Sequence, residues 1–251
     1  GEKVIQIITG AANVKVGSLV PVILDGGVLP DGKQIKKGIL RGMESQGMLC
    51  SFQELGYEDK VIPVADKEGI MILNGDFAPG ADFAQDLEAV QDVVDFEITP
   101  NRPDCLCMVG MAREAAAVFQ KSLSLPKPEI QKEIDNVADY ISVEIKRPDL
   151  CSRYVARIVK DIKVEPSPWW LQNRLLCAGI RSINNIVDIT NYVMLELGTP
   201  IHAFDLNMIA ENKIVVDVAE DGEKFTTLDG VERTLDKDSL LIKDGKKGVA
   251  L

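Results

Sequence analysis

His202 is the single histidine in 251 residues, and imidazole is the side chain whose unperturbed charge changes near neutral pH. It sits in TPIHAFD, just past the expected end of a helix. Two roles fit: a ligand-orienting or water-positioning imidazole, or a structural ring that donates to a carbonyl and caps that helix. A Ser-His-Asp or Cys-His triad could be assembled on paper, but no nucleophile elbow supports one. Upstream lie Arg181, Thr190 and Asn191. Thr190 and Asn191 fall mid-helix, where hydroxyl and amide are poor helix formers. They either bond back to a helical carbonyl, face solvent, or line a pocket. Gathered around an arginine and a histidine, such side chains would suit a polar, anionic or carbonyl-bearing ligand.

Other chemistries are poorly supplied. Five cysteines without a C-x-x-C pair, beside one histidine, argue against structural zinc and against a disulfide scaffold. They fit a reducing compartment better. A net charge of −11 is the wrong sign for a protein devoted to phosphate backbones. The charge is uneven, however. Residues 33–41 (KQIKKGILR) carry Lys33, Lys36, Lys37 and Arg41 with no acid, whereas 76–104 is strongly acidic with Arg102 alone as cation. The basic strip fits either a limited, positioned contact with nucleic acid or an acidic partner, or an ordinary solvated face. No apolar run approaches the roughly 18 residues of a membrane span, and no leader peptide opens the chain.

The elements that must position these residues form three segments, in keeping with about two or more domains for this length. From 1 to about 90, short β-prone runs (Val4 to Thr9, Leu19 to Leu24, Lys33 to Leu40, Met48 to Ser51) alternate with Gly/Pro/Asp turns, which suggests a small barrel or sandwich. In 91–128, Val93 to Ile98 alternates as a strand. Pro103 and Asp104 then open a helix with Leu106, Val109, Ala112, Ala116 and Phe119 on one face. Leu125-Pro126-Lys127-Pro128 is a stiff linker. In 137–251, strands are expected at Ile141 to Ile145, Tyr154 to Val159, Lys213 to Val218, Phe225 to Leu228 and Leu240 to Lys243. One helix is expected from Trp169 to Ala178, with Ser167 as N-cap and Gly179 as stop. A second should run from about Asn185 to Leu197, with Gly198 as stop and Ile186, Ile189, Val193 and Leu197 on one face. Both ends of the chain read as cuts through a longer protein.

KKGILRGMESQGMLCS (36–51), ITPNRPDCLCMVGMAREAA (98–116) and INNIVDITNYVMLELGTPIHAFD (183–205), in this order and spacing, resemble the β subunit of bacterial phenylalanyl-tRNA synthetase. The likeness runs through essentially the whole chain, and the second and third motifs are specific to that subunit. It implies an α+β multidomain fold with three parts. These are an OB-type β-barrel for tRNA binding (1–90, truncated at its start), part of a small α+β domain around NRPD (91–128), and the first part of an α/β editing domain of B3/B4 type (137–251). It further implies a cytoplasmic heterotetramer with an α subunit, ATP and Mg²⁺ in the assembled enzyme, and tRNA(Phe) as ligand. This chain itself has no phosphate-binding glycine loop and no expected cofactor or metal.

By the same resemblance, His202 and Arg181 are the catalytic pair for hydrolysis of mischarged tyrosyl-tRNA. Thr190 and Asn191 are pocket hydrogen-bonding groups; the basic strip, read from its charge, makes Lys33, Lys36, Lys37 and Arg41 the expected tRNA contacts. Further pocket residues of the family lie past Leu251, so the chain alone is expected not to deacylate at a useful rate. Two other readings remain open: a free-standing OB-type tRNA-binding or chaperone protein, and a structural piece that docks the α subunit.

Overall fold

A computed structural model describes residues 3–130 and 133–251. Gly1 and Glu2 of the expected first domain, and Gln131 and Lys132 of the stretch after the proline linker, lie outside them. The fold is mixed α+β, and it divides into two compact units: Gly1–Leu123 with Val164–Ile201, and Ser124–Lys163 with His202–Leu251.

In the first unit, β1 (Val22–Leu24) and β4 (Gly47–Leu49) pair antiparallel, with Val22 opposite Leu49. Between them β2 (Gly38–Leu40) and β3 (Met43–Ser45) form a hairpin. Its two-residue turn, Arg41-Gly42, holds both residues at positive φ (51° and 80°), the twist a tight hairpin needs. Glycine adopts this freely, whereas arginine pays a steric penalty of about 1–2 kcal/mol there. The turns at Gly26 and Gly32 likewise use positive φ. The expected OB barrel is not closed: these strands make two separate two-stranded ribbons. Closure needs a ladder on every edge. The run Val4 to Thr9, expected as a strand, is tied among the described residues only by isolated bonds such as Gln46 N–H to Gln6 O (2.9 Å) and Ile8 N–H to Ser45 Oγ (3.1 Å).

The core of this unit joins both of its sequence segments. Phe52, Val61, Ile62, Met71 and Leu87 bury against Trp169 and Leu176, residues of α2 (Trp169–Cys177). The Trp169 indole donates to Leu87 O at 2.7 Å, and Asn173 Nδ2 to Glu88 O at 2.7 Å. Cys50 lies in a neighbouring cluster with Leu29 and Ile35; burial pushes its thiol up to about 11, so it stays protonated and unreactive at neutral pH. All five cysteines are free.

At NRPD the chain does not enter the α-helix directly. Pro103–Leu106 form a 3-10 turn, Cys107 is extended, and its sulfur accepts from Gly110 N–H at 3.4 Å to cap α1 (Met108–Phe119). Leu106 is therefore out of phase with the helix and 68% exposed, and Phe119 in the last turn is 71% exposed. The expected five-residue apolar face is correspondingly shorter. Gly110 is buried, and a Cβ there would lie 1.6 Å from Asp104 O. Gly110→Ala should therefore cost about 3 kcal/mol by forcing turn and helix apart; equal urea midpoints for the two proteins would contradict this close approach. α3 (Asn185–Leu197) has the expected bounds. Asn184 Oδ1 accepts from Ile186 and Val187 N–H, and Gly198 ends the helix at φ 79°. Ile189 and Leu197, expected on its apolar face, are exposed.

The second unit holds a four-stranded mixed sheet in the order β10-β9-β6-β5, built from β5 (Ser142–Ile145), β6 (Lys213–Val218), β9 (Leu240–Lys243) and β10 (Gly248–Ala250). β5 runs parallel to β6, and the other pairs are antiparallel. The buried run Ile214, Val215 and Val216 makes β6 the spine of the sheet, as a central strand covered on both sides requires. β7 (Lys224–Thr226) and β8 (Glu232–Thr234) form a separate hairpin. Val93 to Ile98 and Tyr154 to Val159, expected as strands, have no ladder partner among the described residues. Among the described residues no helix is long and apolar enough to cross a membrane.

Candidate functional site

Arg181, Thr190 and Asn191 all belong to the first unit and are held by the junction of α2 and α3. Gly179, at φ 76°, turns the chain out of α2, and the loop Ile180–Asn184 leads to the Asn184 cap. Ser167, expected as the N-cap of α2, makes no capping bond. Its hydroxyl instead donates to Asp188 Oδ2 at 2.5 Å, across 21 residues. Ser182 donates to the same oxygen, and Ile183 N–H to Asp188 Oδ1 at 2.8 Å. Asn185 N–H reaches Glu165 O at 2.9 Å, and Trp170 meets Tyr192 edge-to-face at 5.7 Å. Loop and both helices form one knot.

On that frame Thr190 is half-buried and donates its hydroxyl to Val187 O at 2.7 Å, the back-bonding alternative. Its oxygen lone pairs remain able to accept. Asn191, also half-buried, and the Arg181 guanidinium make no hydrogen bond or ion pair among the described residues. Their donors are available to a ligand. A cavity of about 450 Å³ in this unit is lined by Phe77, Asp86, Glu88, Trp169, Trp170 and Arg174, among others; none of the three predicted residues lines it.

His202 belongs to the second unit. It is exposed and stacks on Phe204 (5.7 Å, 26°). Its nitrogens make no hydrogen bond among the described residues, so the carbonyl-donating role considered for it is not realised. A cleft of about 290 Å³ there is lined by Phe204, Asp205, Met208, Phe225 and Lys247 among others, without His202.

Lys33, Lys36, Lys37 and Arg41 are all exposed, on and before the β2–β3 hairpin, with Arg41 at its tip. The Lys33 and Lys37 backbone amides are held by Asp31 (2.9 Å) and Asp25 (2.8 Å). None of the four side chains is in an ion pair among the described residues. By contrast Lys60, Lys146, Lys160, Lys213 and Lys224 all reach carboxylates. Ile39 (78% exposed), Leu40 and Met43 stand exposed on the same hairpin. Unpaired cations beside apolar side chains, in a chain with 39 acids against 28 bases, form a surface suited to a polyanion.

Sequence reasoning did not single out Asp188 or the contacts of Arg102. Asp188 carried one signal, an acid inside the otherwise apolar run NIVDI. Arg102 grips Asp104 through two nitrogens (3.0 and 2.8 Å) and reaches Glu114 at 2.6 Å. Its guanidinium holds the Asp104 carboxyl down to about 2, and burial pushes the adjoining Cys105 thiol up. Asp104, Cys105 and Glu114 place ligand atoms within 4.8 Å of one another. A guanidinium already pairs both carboxylates, so the group does not fit a divalent cation.

Residues 1–81 match the family described as a putative tRNA binding domain, and residues 150–251 match the B3/4 domain. The chain is 53% identical over 251 residues to the phenylalanine–tRNA ligase beta subunit of Clostridium tetani, which covers 100% of this chain and 31% of that protein. The subunit of the same name from Clostridium acetobutylicum is 51% identical over 251 residues (98% of this chain, 31% of the relative). That of Moorella thermoacetica is 47% identical over 247 residues (98% and 31%). The chain thus spans about a third of the length of these curated relatives. It carries a tRNA-binding match followed by a B3/4 match, and it is similar along its whole length to phenylalanine–tRNA ligase beta subunits.

Proposed function

We propose that the protein containing this chain is the β subunit of a cytoplasmic phenylalanine–tRNA ligase. Residues 1–90 contact tRNA(Phe) through Lys33, Lys36, Lys37 and Arg41, and residues 137–251 contribute to hydrolytic editing of tyrosyl-tRNA(Phe). Residues 91–128 form part of a small α+β domain. A partner α subunit, in a heterotetramer, carries out aminoacylation with ATP and Mg²⁺. The carrying observation is identity along the whole chain to phenylalanine–tRNA ligase β subunits, with tRNA-binding and B3/4 matches in that order.

Editing answers a physical need. A pocket shaped for phenylalanine rejects an added hydroxyl by only about 100-fold, so a second, polar site must remove the tyrosyl ester. An aminoacyl ester is already activated. A positioned water and a polarised carbonyl can suffice without a strong base. The unpaired Arg181 guanidinium supplies positive charge for a phosphate or the developing oxyanion. Asn191 offers both an amide donor and an acceptor. Thr190, its proton committed to Val187 O, can only accept from a ligand. The His202 ring, whose nitrogens make no hydrogen bond among the described residues, is a candidate to orient water in its own unit.

In the full-length protein with its α subunit, His202→Ala and Arg181→Ala should each lower deacylation of tyrosyl-tRNA(Phe) about 100-fold, with aminoacylation retained. Deacylation at the parental rate in both variants overturns the assignment.

A further inference from the structure

We propose that Asp188 is the positioning residue of the editing pocket, a buried carboxylate that locks the Arg181-bearing loop to α3 and so aims the guanidinium; this rests on the editing reading above. Asp188 is 0% exposed. Its two oxygens accept from three donors on two separate segments: Ser167 before α2, and Ser182 and Ile183 in the loop. The two residues that directly follow Arg181 are thus both bonded to one carboxylate.

That arrangement does what an apolar side chain could not. For stability alone, a buried charge is often matched or bettered by a hydrophobic residue of similar volume. What the carboxylate adds is direction, because each donor must point at a particular oxygen. Thr190 and Asn191 follow Asp188 by two and three residues on the same rigid helix. Asp188 therefore sets the backbone of Arg181 relative to both. The Arg181 side chain makes no hydrogen bond of its own among the described residues, so its aim depends on where its backbone is held. Asp188 is fully buried among these donors and acts through Arg181; it is a positioning group, distinct from those that would contact the ester.

The test uses the full-length protein with its α subunit and measures steady-state deacylation of tyrosyl-tRNA(Phe). Ser182→Ala removes the bond nearest Arg181 with little loss of volume. It should lower kcat about 10-fold and leave KM within about twofold, since misplacement by an ångström or less is felt mainly in the reacting geometry. Asp188→Asn should do the same, and aminoacylation should not change in either. In an Arg181→Ala background, Ser182→Ala should add less than about twofold, because residues acting as a unit are not additive. Unchanged kcat in Ser182→Ala and Asp188→Asn, with Arg181→Ala impaired, overturns this proposal alone. An undiminished Ser182→Ala effect in the Arg181→Ala background also overturns it. A parent protein that does not deacylate tyrosyl-tRNA(Phe) overturns the editing reading, and the positioning role falls with it.

Discussion

Trp169→Ala should lower the unfolding free energy of the protein by about 3–5 kcal/mol, the range for deleting a buried aromatic side chain. The ring is packed among Phe52, Val61, Ile62, Met71, Leu87 and Leu176, so the surrounding side chains belong to segments far apart in sequence. They cannot all collapse into the void together. Trp169→Phe separates packing from polarity. It keeps most of the ring but removes the N–H that satisfies Leu87 O, which should cost about 1–3 kcal/mol. Urea unfolding followed by circular dichroism reads both. If Trp169→Ala unfolds at the parental midpoint, the shared core between residues 52–87 and α2 does not exist in solution.

The second large effect concerns charge. Lys36→Glu with Lys37→Glu reverses two cations that have no carboxylate partner among the described residues, and affinity for tRNA(Phe) at low salt should fall about 100-fold. The slope of log K against log salt should shrink by roughly 1.5, since each phosphate contact contributes about 0.7–0.9. Lys146, ion-paired to Asp217 at 3.4 Å, serves as the control: Lys146→Glu should leave both quantities almost unchanged. Filter binding at two salt concentrations decides. A loss in Lys146→Glu about half that of the double variant on a logarithmic scale, in proportion to the charge removed, would mean that overall charge alone is responsible. No loss in either would make the strip an ordinary solvated face.

How far these features could be read from sequence depends on how local their causes are. α3 was legible to within about a residue because its start and stop are chemical: Asn184 satisfies two amides and Gly198 takes positive φ. β6 and β9 were legible because a dense apolar run in a central strand needs no special partner to identify it. Val93 to Ile98 and Tyr154 to Val159 show the same alternation but form no ladder, and alternation specifies a face without supplying a neighbour. The barrel failed for that reason too. Its Gly/Pro/Asp turns do form, with positive φ at Gly26 and Gly32, while Val4 to Thr9 makes only scattered bonds among the described residues.

The site divides along the same line. The availability of Lys33, Lys36, Lys37 and Arg41 is a property of a hairpin that its own sequence dictates. Ser167 looked like a cap because Ser-Pro before an apolar run is a local signal, but its hydroxyl is claimed by Asp188, 21 residues away. Arg102 was visible as the lone cation of an acidic stretch. That it would close on both Asp104 and Glu114 depended on the 3-10 turn that breaks phase before α1, which Pro103 and Asp104 alone did not announce.

The parallel pairing of Ser142 with Lys213 also orders events during synthesis. A ribosome must deliver the spine of the sheet long after the edge it will cover. At about 5–20 residues per second, the earlier strand waits on the order of 4 to 14 seconds with its amides unpaired. During that interval the nascent polypeptide offers a sticky margin to chaperones or to neighbouring chains on the same message. Slowing translation between the two strands should therefore lower the soluble yield before it alters anything about the finished fold.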